Sequence, residues 1–163
     1  MNKCYFIIGA AESGKTTFGK ELAKCIGGCC HDTSSEILDQ YARLTGYALD
    51  SYEKPIYRDV LVQIGNVICS RDPARLVEMI INITPPGPLV ICGVRRQNEY
   101  AAGIELARRR GYHPVTILIN RPLGIKSDNF DLYQVEADFE VENCSTLDYL
   151  KRLAPSVAIA AAL

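Results

Sequence analysis

The chain has 163 residues, 48% hydrophobic and 23% charged, with a formal net charge of −1. That length suits one domain spanning 1–163, able to bury about two thirds of the surface its unfolded form exposes. The balanced charge excludes a global electrostatic pull toward nucleic acid or anionic lipid, and the apolar tail from Ala154 to Leu163 is too short to cross a bilayer.

No basic-plus-apolar leader stands before the first apolar run, so the expectation is a cytoplasmic protein with no membrane partner, monomeric or a homodimer. Seven cysteines (Cys4, Cys25, Cys29, Cys30, Cys69, Cys92 and Cys144) make an odd set with no C-x-x-C pair. They read as buried thiols in a reducing compartment. Cys25, Cys29, Cys30 and His31 lack a second Cys or His pair to complete a zinc site, which leaves Mg²⁺ as the expected metal.

The first element is the β-forming run at Cys4–Ile8. Directly after it comes Gly9-Ala10-Ala11-Glu12-Ser13-Gly14-Lys15-Thr16, a phosphate-binding loop of the form G-x-x-x-x-G-K-[ST]. Thr17 to Cys25 then carries Phe18, Leu22 and Cys25 at helical spacing. In strand, loop, helix order the loop amides face a β-phosphate at the positive helix end, Lys15 reaches the β- and γ-phosphates, and Thr16 offers its hydroxyl to Mg²⁺. Residues 9–17 are therefore the expected ATP-binding set.

A second strand over 28–31 leads into His31-Asp32-Thr33-Ser34 and a helix over 34–45. Asp32 or Thr33 caps that helix, and Asp32 also stands where a carboxylate can take a proton from an acceptor hydroxyl or order Mg²⁺ waters. The periodic stretch 55–70 presents Arg58 and Gln63, with Arg71 just beyond, as candidate acceptor-binding residues; Gly65 inside it suggests close approach of another backbone. Asp72-Pro73 reads as a cap and first helical residue for 73–82.

The third strand, 88–92, ends in Leu89-Val90-Ile91-Cys92 without the acidic residue that many P-loop ATPases use for Mg²⁺, which argues against a motor, hydrolase or nucleotide switch. Gly93-Val94-Arg95-Arg96-Gln97-Asn98-Glu99 follows. Two arginines at a strand's carboxyl end suit forked contacts with phosphate, and Glu99 either fixes an arginine or begins the next helix, 98–110, which Gly111 closes. Arg108-Arg109-Arg110 reads as a solvated helix end.

After the fourth strand, 114–119, a polar segment of about 121–134 reads as a lid, with Arg121 and Lys126 closing over the triphosphate. A short strand at 139–141 and a helix at 146–153, with Ser145 as its cap, complete the chain. The alternation predicts an α/β fold, a parallel sheet with helices on both faces, and a site beyond the strands' carboxyl ends.

Read in order, Gly9–Thr16, the Gly65 helix, Gly93–Glu99, Asn120-Arg121-Pro122 and Asp138-Phe139-Glu140-Val141-Glu142-Asn143 resemble the deoxynucleoside monophosphate kinases of bacteriophages. The resemblance implies the adenylate-kinase-like P-loop fold, ATP as donor, Arg95 and Arg96 near the transferred or acceptor phosphate, and Asn143 toward the adenine. A related set of phage P-loop kinases phosphorylates the hydroxyl of 5-hydroxymethyluracil within DNA during base hypermodification. Asp32 as a base makes that the alternative, since an anionic phosphate acceptor needs none. The expected machinery is thus Lys15, Asp32, Arg95 and Arg96, with Arg58, Gln63, Arg71 and Glu99 on the acceptor.

Overall fold

The structure is a computed structural model that describes residues 2–121 and 134–162. Strands β1 (Lys3–Ile8), β2 (Cys29–Asp32), β3 (Leu89–Cys92), β4 (His113–Asn120) and β5 (Phe139–Glu142) form one sheet in the order β2-β3-β1-β4-β5. Every neighbouring pair is parallel. The helices are α1 (Lys15–Ile26), α2 (Thr33–Thr45), α3 (Glu53–Ile56), α4 (Arg58–Cys69), α5 (Arg75–Ile83), α6 (Gln97–Arg109) and α7 (Leu147–Ala162).

Strands covered on both faces need apolar residues at successive positions, and β1 and β3 supply them. Alternation along β1 splits the interior into two cores. Cys4, Phe6 and Ile8 pack with Val77 and Ile80 of α5 and with Leu106 and Ala107 of α6; Tyr5 and Ile7 face Phe18 and Leu22 of α1 and Leu150 and Ala154 of α7. From β1 the chain builds β2 and β3 on one side, then β4 and β5 on the other. A crevice therefore opens at the carboxyl end of β1, where the phosphate loop lies.

Several boundaries differ from those expected. The helix predicted over 55–70 is divided at Tyr57, whose ψ of 13° leaves helical geometry between α3 and α4. Asp72 caps through Oδ1, which accepts from Ala74 N at 3.0 Å, and α5 starts only at Arg75. The cap of α7 is Thr146, whose Oγ1 accepts from Tyr149 N at 3.2 Å, in place of Ser145. That helix also continues past Pro155 to Ala162, because Leu150, Ala154 and Ala161 on one face are buried against the α1 side of the sheet. Gly65 is approached by a side chain and not a backbone: a Cβ there would lie 3.0 Å from Ile37 Cδ1. Gly111, at φ 81°, does close α6, its N–H reaching Arg108 O at 3.0 Å.

All seven cysteines are free thiols, yet Cys25 and Cys144 are exposed rather than buried, the first at the outer end of α1 and the second in the turn after β5. Among the described residues no helix is long and apolar enough to cross a membrane.

Candidate active site

The loop between β1 and α1 is built on two glycines that no other residue can replace. Gly9 has φ 152°, and a Cβ on it would meet Ile119 O at 2.4 Å and Ser13 Oγ at 2.7 Å. Gly14, the residue before α1, has φ 96°, and its Cβ would meet Leu150 Cδ2 at 2.6 Å and Asn143 Nδ2 at 2.9 Å. Both lie where L side chains are strained, so the loop curls tightly over the first turn of α1 with its amides at the positive helix end.

Lys15 is only 8% exposed, and its Nζ donates to Ala10 O across the loop. Burial, then the charge of Arg95, push its ammonium down to about 8, against the opposing pull of Asp32 and Cys92. Ser13 Oγ is the one buried side-chain polar atom left without a hydrogen-bond partner among the described residues. A buried hydroxyl left unpaired costs roughly 1–3 kcal/mol. A cradle of backbone amides, a buried lysine and an orphaned hydroxyl fits the phosphates of a nucleoside triphosphate.

Asp32 ends β2 and serves two neighbours. Oδ1 accepts from Ser34 N at 2.9 Å, capping α2, and Oδ2 accepts from Thr16 Oγ1 at 2.7 Å. Burial pushes its carboxyl up, but the bonds from Ser34 and Thr16 and the charge of Lys54 outweigh that and hold it below the ordinary aspartate range. Capping of α2 and contact with the phosphate loop, compatible readings of the sequence, meet in one carboxylate. Because Asp32 takes the Thr16 proton, the Thr16 lone pairs are left for a cation.

The adjacent arginines part company. Arg95 forms no ion pair among the described residues, and its charge bears on Lys15. Arg96 instead donates to Asn66 Oδ1 at 2.6 Å and lies 3.9 Å from Glu99 Oε1. This contact fastens α4 to the β3–α6 turn and leaves the Arg96 side chain 43% exposed. Glu99 does both things expected of it, pairing with Arg96 and standing in the first turn of α6.

Arg58, Gln63 and Arg71 are exposed. Arg58 opens α4 and Arg71 follows its end, so they are separated by a helix of roughly 18 Å and do not share one pocket. Arg121 donates from Nη1 to Glu12 O at 2.9 Å, which sets the residue after β4 against the phosphate loop. Lys126 and the lid residues 122–133 lie outside the described residues. Asn143 is 5% exposed, and its Nδ2 donates to Ser13 O at 2.8 Å. Through this bond it braces the phosphate loop. Lys54, which no periodicity singled out, reaches Ser34 Oγ at 3.3 Å.

No protein-family model matches the sequence, and no curated protein matches it. Solved structures do. The Mycobacterium tuberculosis APS kinase CysC in complex with AMPPNP and APS aligns with a TM-score of 0.62 at 11% identity, covering 98% of each chain. Shikimate kinase from Acinetobacter baumannii in complex with shikimate gives 0.57 at 17% identity, covering 99% of this chain and 94% of that one. A gluconokinase from Sinorhizobium meliloti 1021 gives 0.53 at 12% identity, over 98% and 93%. The chain has the P-loop fold of these kinases.

Proposed function

We propose that this protein is an ATP-dependent phosphotransferase that moves the γ-phosphoryl group onto the phosphate of a deoxynucleoside monophosphate. The observation that carries the reading is the buried Lys15 ammonium in the phosphate loop, donating to Ala10 O and bearing the repulsive charge of Arg95 from the turn after β3. Such an arrangement is repulsive on its own and becomes favourable around a transferring phosphoryl group flanked by two phosphates. The neighbours in fold are kinases, one of them complexed with AMPPNP, which supports ATP as donor.

Transfer breaks the bond from the γ-phosphorus to the β,γ-bridging oxygen and forms one to the acceptor oxygen. Lys15, the loop amides and Ser13 Oγ hold the donor phosphates, while Arg95 offsets charge on the equatorial oxygens. Thr16, oriented by Asp32, is the residue that would hold Mg²⁺, which when bound neutralises charge between the β- and γ-phosphates. Arg121, already on the loop through Glu12 O, adds a cation beside the triphosphate.

A second reading, phosphorylation of the hydroxyl of 5-hydroxymethyluracil in DNA, is favoured by Asp32 itself: an ionised carboxylate at this wall has lone pairs beyond those used by Ser34 and Thr16. The APS, shikimate and glucono kinases sharing the fold support a hydroxyl acceptor as well. Labelled ATP offered with each deoxynucleoside monophosphate, and separately with duplex DNA containing 5-hydroxymethyluracil, decides between them. Lys15→Ala serves as the inactive control. With a monophosphate acceptor, Asp32→Asn raises the Mg²⁺ requirement and lowers kcat less than about tenfold; with the hydroxyl acceptor it lowers kcat by about 10²–10⁴-fold. Transfer to neither acceptor sinks both.

A further inference from the structure

Between α2 and α4 the chain makes a strap, residues 46–57, whose only helical turn, α3, buries no residue of its own. The carboxylates on this strap are used internally. Asp50 Oδ1 accepts from Tyr52 N at 2.7 Å and Glu53 N at 2.8 Å, and Glu53 Oε1 accepts from Tyr47 Oη at 2.5 Å. Tyr52 and Ile56 stand in solvent at 86% and 78% exposure. Lys54 turns inward to Ser34 Oγ, and it forms no ion pair among the described residues.

A long contact to a neutral hydroxyl is poor compensation for an ammonium that hydrates strongly. Its charge does reach Asp32, but that carboxylate already accepts from Thr16 and Ser34. Lys54, Ser34, Asp32 and Thr16 thus form a chain running from the strap to the phosphate loop. Lys54 ends that chain on the strap, beside the carboxylate that the hydroxyl-acceptor reading assigns as base.

We propose that Lys54 reads an anionic phosphate on the acceptor, either the monoester of a free nucleotide or the diester beside a modified base in DNA. This assignment rests on the kinase reading above and adds to it a residue and a charge requirement. A charge-assisted contact of this kind is broken by Lys54→Met and kept in part by Lys54→Arg.

The test is calorimetric binding with the full chain in the presence of Mg²⁺ and AMPPNP. The probes are thymidine 5′-monophosphate, neutral thymidine, and an oligonucleotide containing 5-hydroxymethyluracil, each against wild type, Lys54→Met and Lys54→Arg. The expected result is a loss of about 10–100-fold in affinity for the anionic probe in Lys54→Met, partial recovery in Lys54→Arg, and no change for thymidine or AMPPNP. Dependence on Lys54 seen with the monophosphate assigns the monoester, and dependence seen only with the oligonucleotide assigns the diester. Equal affinity of Lys54→Met and wild type for every anionic probe overturns the proposal, as does an equal loss for thymidine. If wild type fails to bind AMPPNP, the kinase reading falls and this assignment with it.

Discussion

Burial and the charge of Arg95 bring the Lys15 ammonium down to about 8, so the residue that must carry charge for phosphate binding loses its proton more readily than an ordinary lysine in the free protein. The sign follows from linkage. Between about pH 8 and the unfolded value of 10.5, the unfolded chain binds more protons than the folded one, so free-protein stability attributable to Lys15 rises with pH over that window. Nucleotide binding runs the other way: phosphates restore the lysine's affinity for its proton, so AMPPNP binding takes up a proton above pH 8 and weakens as pH climbs. Titration calorimetry at pH 7 to 9.5, in buffers of different ionisation enthalpy, should show that uptake in wild type and none in Lys15→Arg. A pH-independent affinity with no proton uptake would mean that Lys15 does not face the phosphates. Asp32 imposes no competing limb here, since its carboxyl is held below the ordinary aspartate value of 3.8 and is ionised throughout.

At the scale of elements, α1 shows what the site demands of its scaffold. Gly19 lies in the helix interior, where glycine costs about 1 kcal/mol relative to alanine, and a Cβ there would sit 2.5 Å from Cys92 Sγ and 3.3 Å from both Cys30 Sγ and Val90 Cγ1. The two sulfurs are 4.0 Å apart, and Cys92 Sγ is 3.6 Å from Lys15 O, so β2, β3 and the first turn of α1 meet at this point. Gly19→Ala should therefore destabilise the protein by about 1–3 kcal/mol net of its better helix propensity, and the double variant Gly19→Ala/Cys92→Ala should recover most of that. Urea unfolding midpoints check both; a stabilised single variant would show that α1 does not press so closely on the sheet.

That sulfur cluster was not legible in the sequence, whereas the strand, loop and helix around it were. The phosphate loop declares itself because each residue meets a local demand of backbone and charge. The central strands declare themselves because covered parallel strands are apolar at every position. What local pattern cannot show is where neighbouring side chains are sent. Arg95 and Arg96 are adjacent, yet Arg96 alone is claimed by Asn66 on α4, 30 positions away. Lys54 and Asn143 owe their placement to Ser34 and Ser13, partners fixed only when the strap and β5 are in place.

For the molecule as a whole, the phosphate loop is completed by the last part of the chain. Asn143, 130 positions after Ser13, donates to its carbonyl, and Leu150, fully buried on α7, fills the space that glycine leaves at position 14. Lys3 reaches Ala161 O at the far end of the same helix, so α7 is tied to the first strand at one end and lies under the loop at the other. A loop shaped by contacts this distant in sequence is preorganised only after β5 and α7 have docked, which makes its rigidity a property of the complete fold. Asn143→Ala removes the donor and leaves Ser13 O buried and unpaired, a loss of about 1–3 kcal/mol. The expected signature is local: faster amide exchange at residues 13–16, weaker AMPPNP binding by about tenfold, and unchanged protection of β1, β3 and α5, which make no contact with this amide. Hydrogen exchange by mass spectrometry resolves the two regions. Uniformly lost protection across the sheet would make Asn143 a general stabiliser; unchanged exchange at the loop would mean that the loop holds its shape without the C-terminal segment.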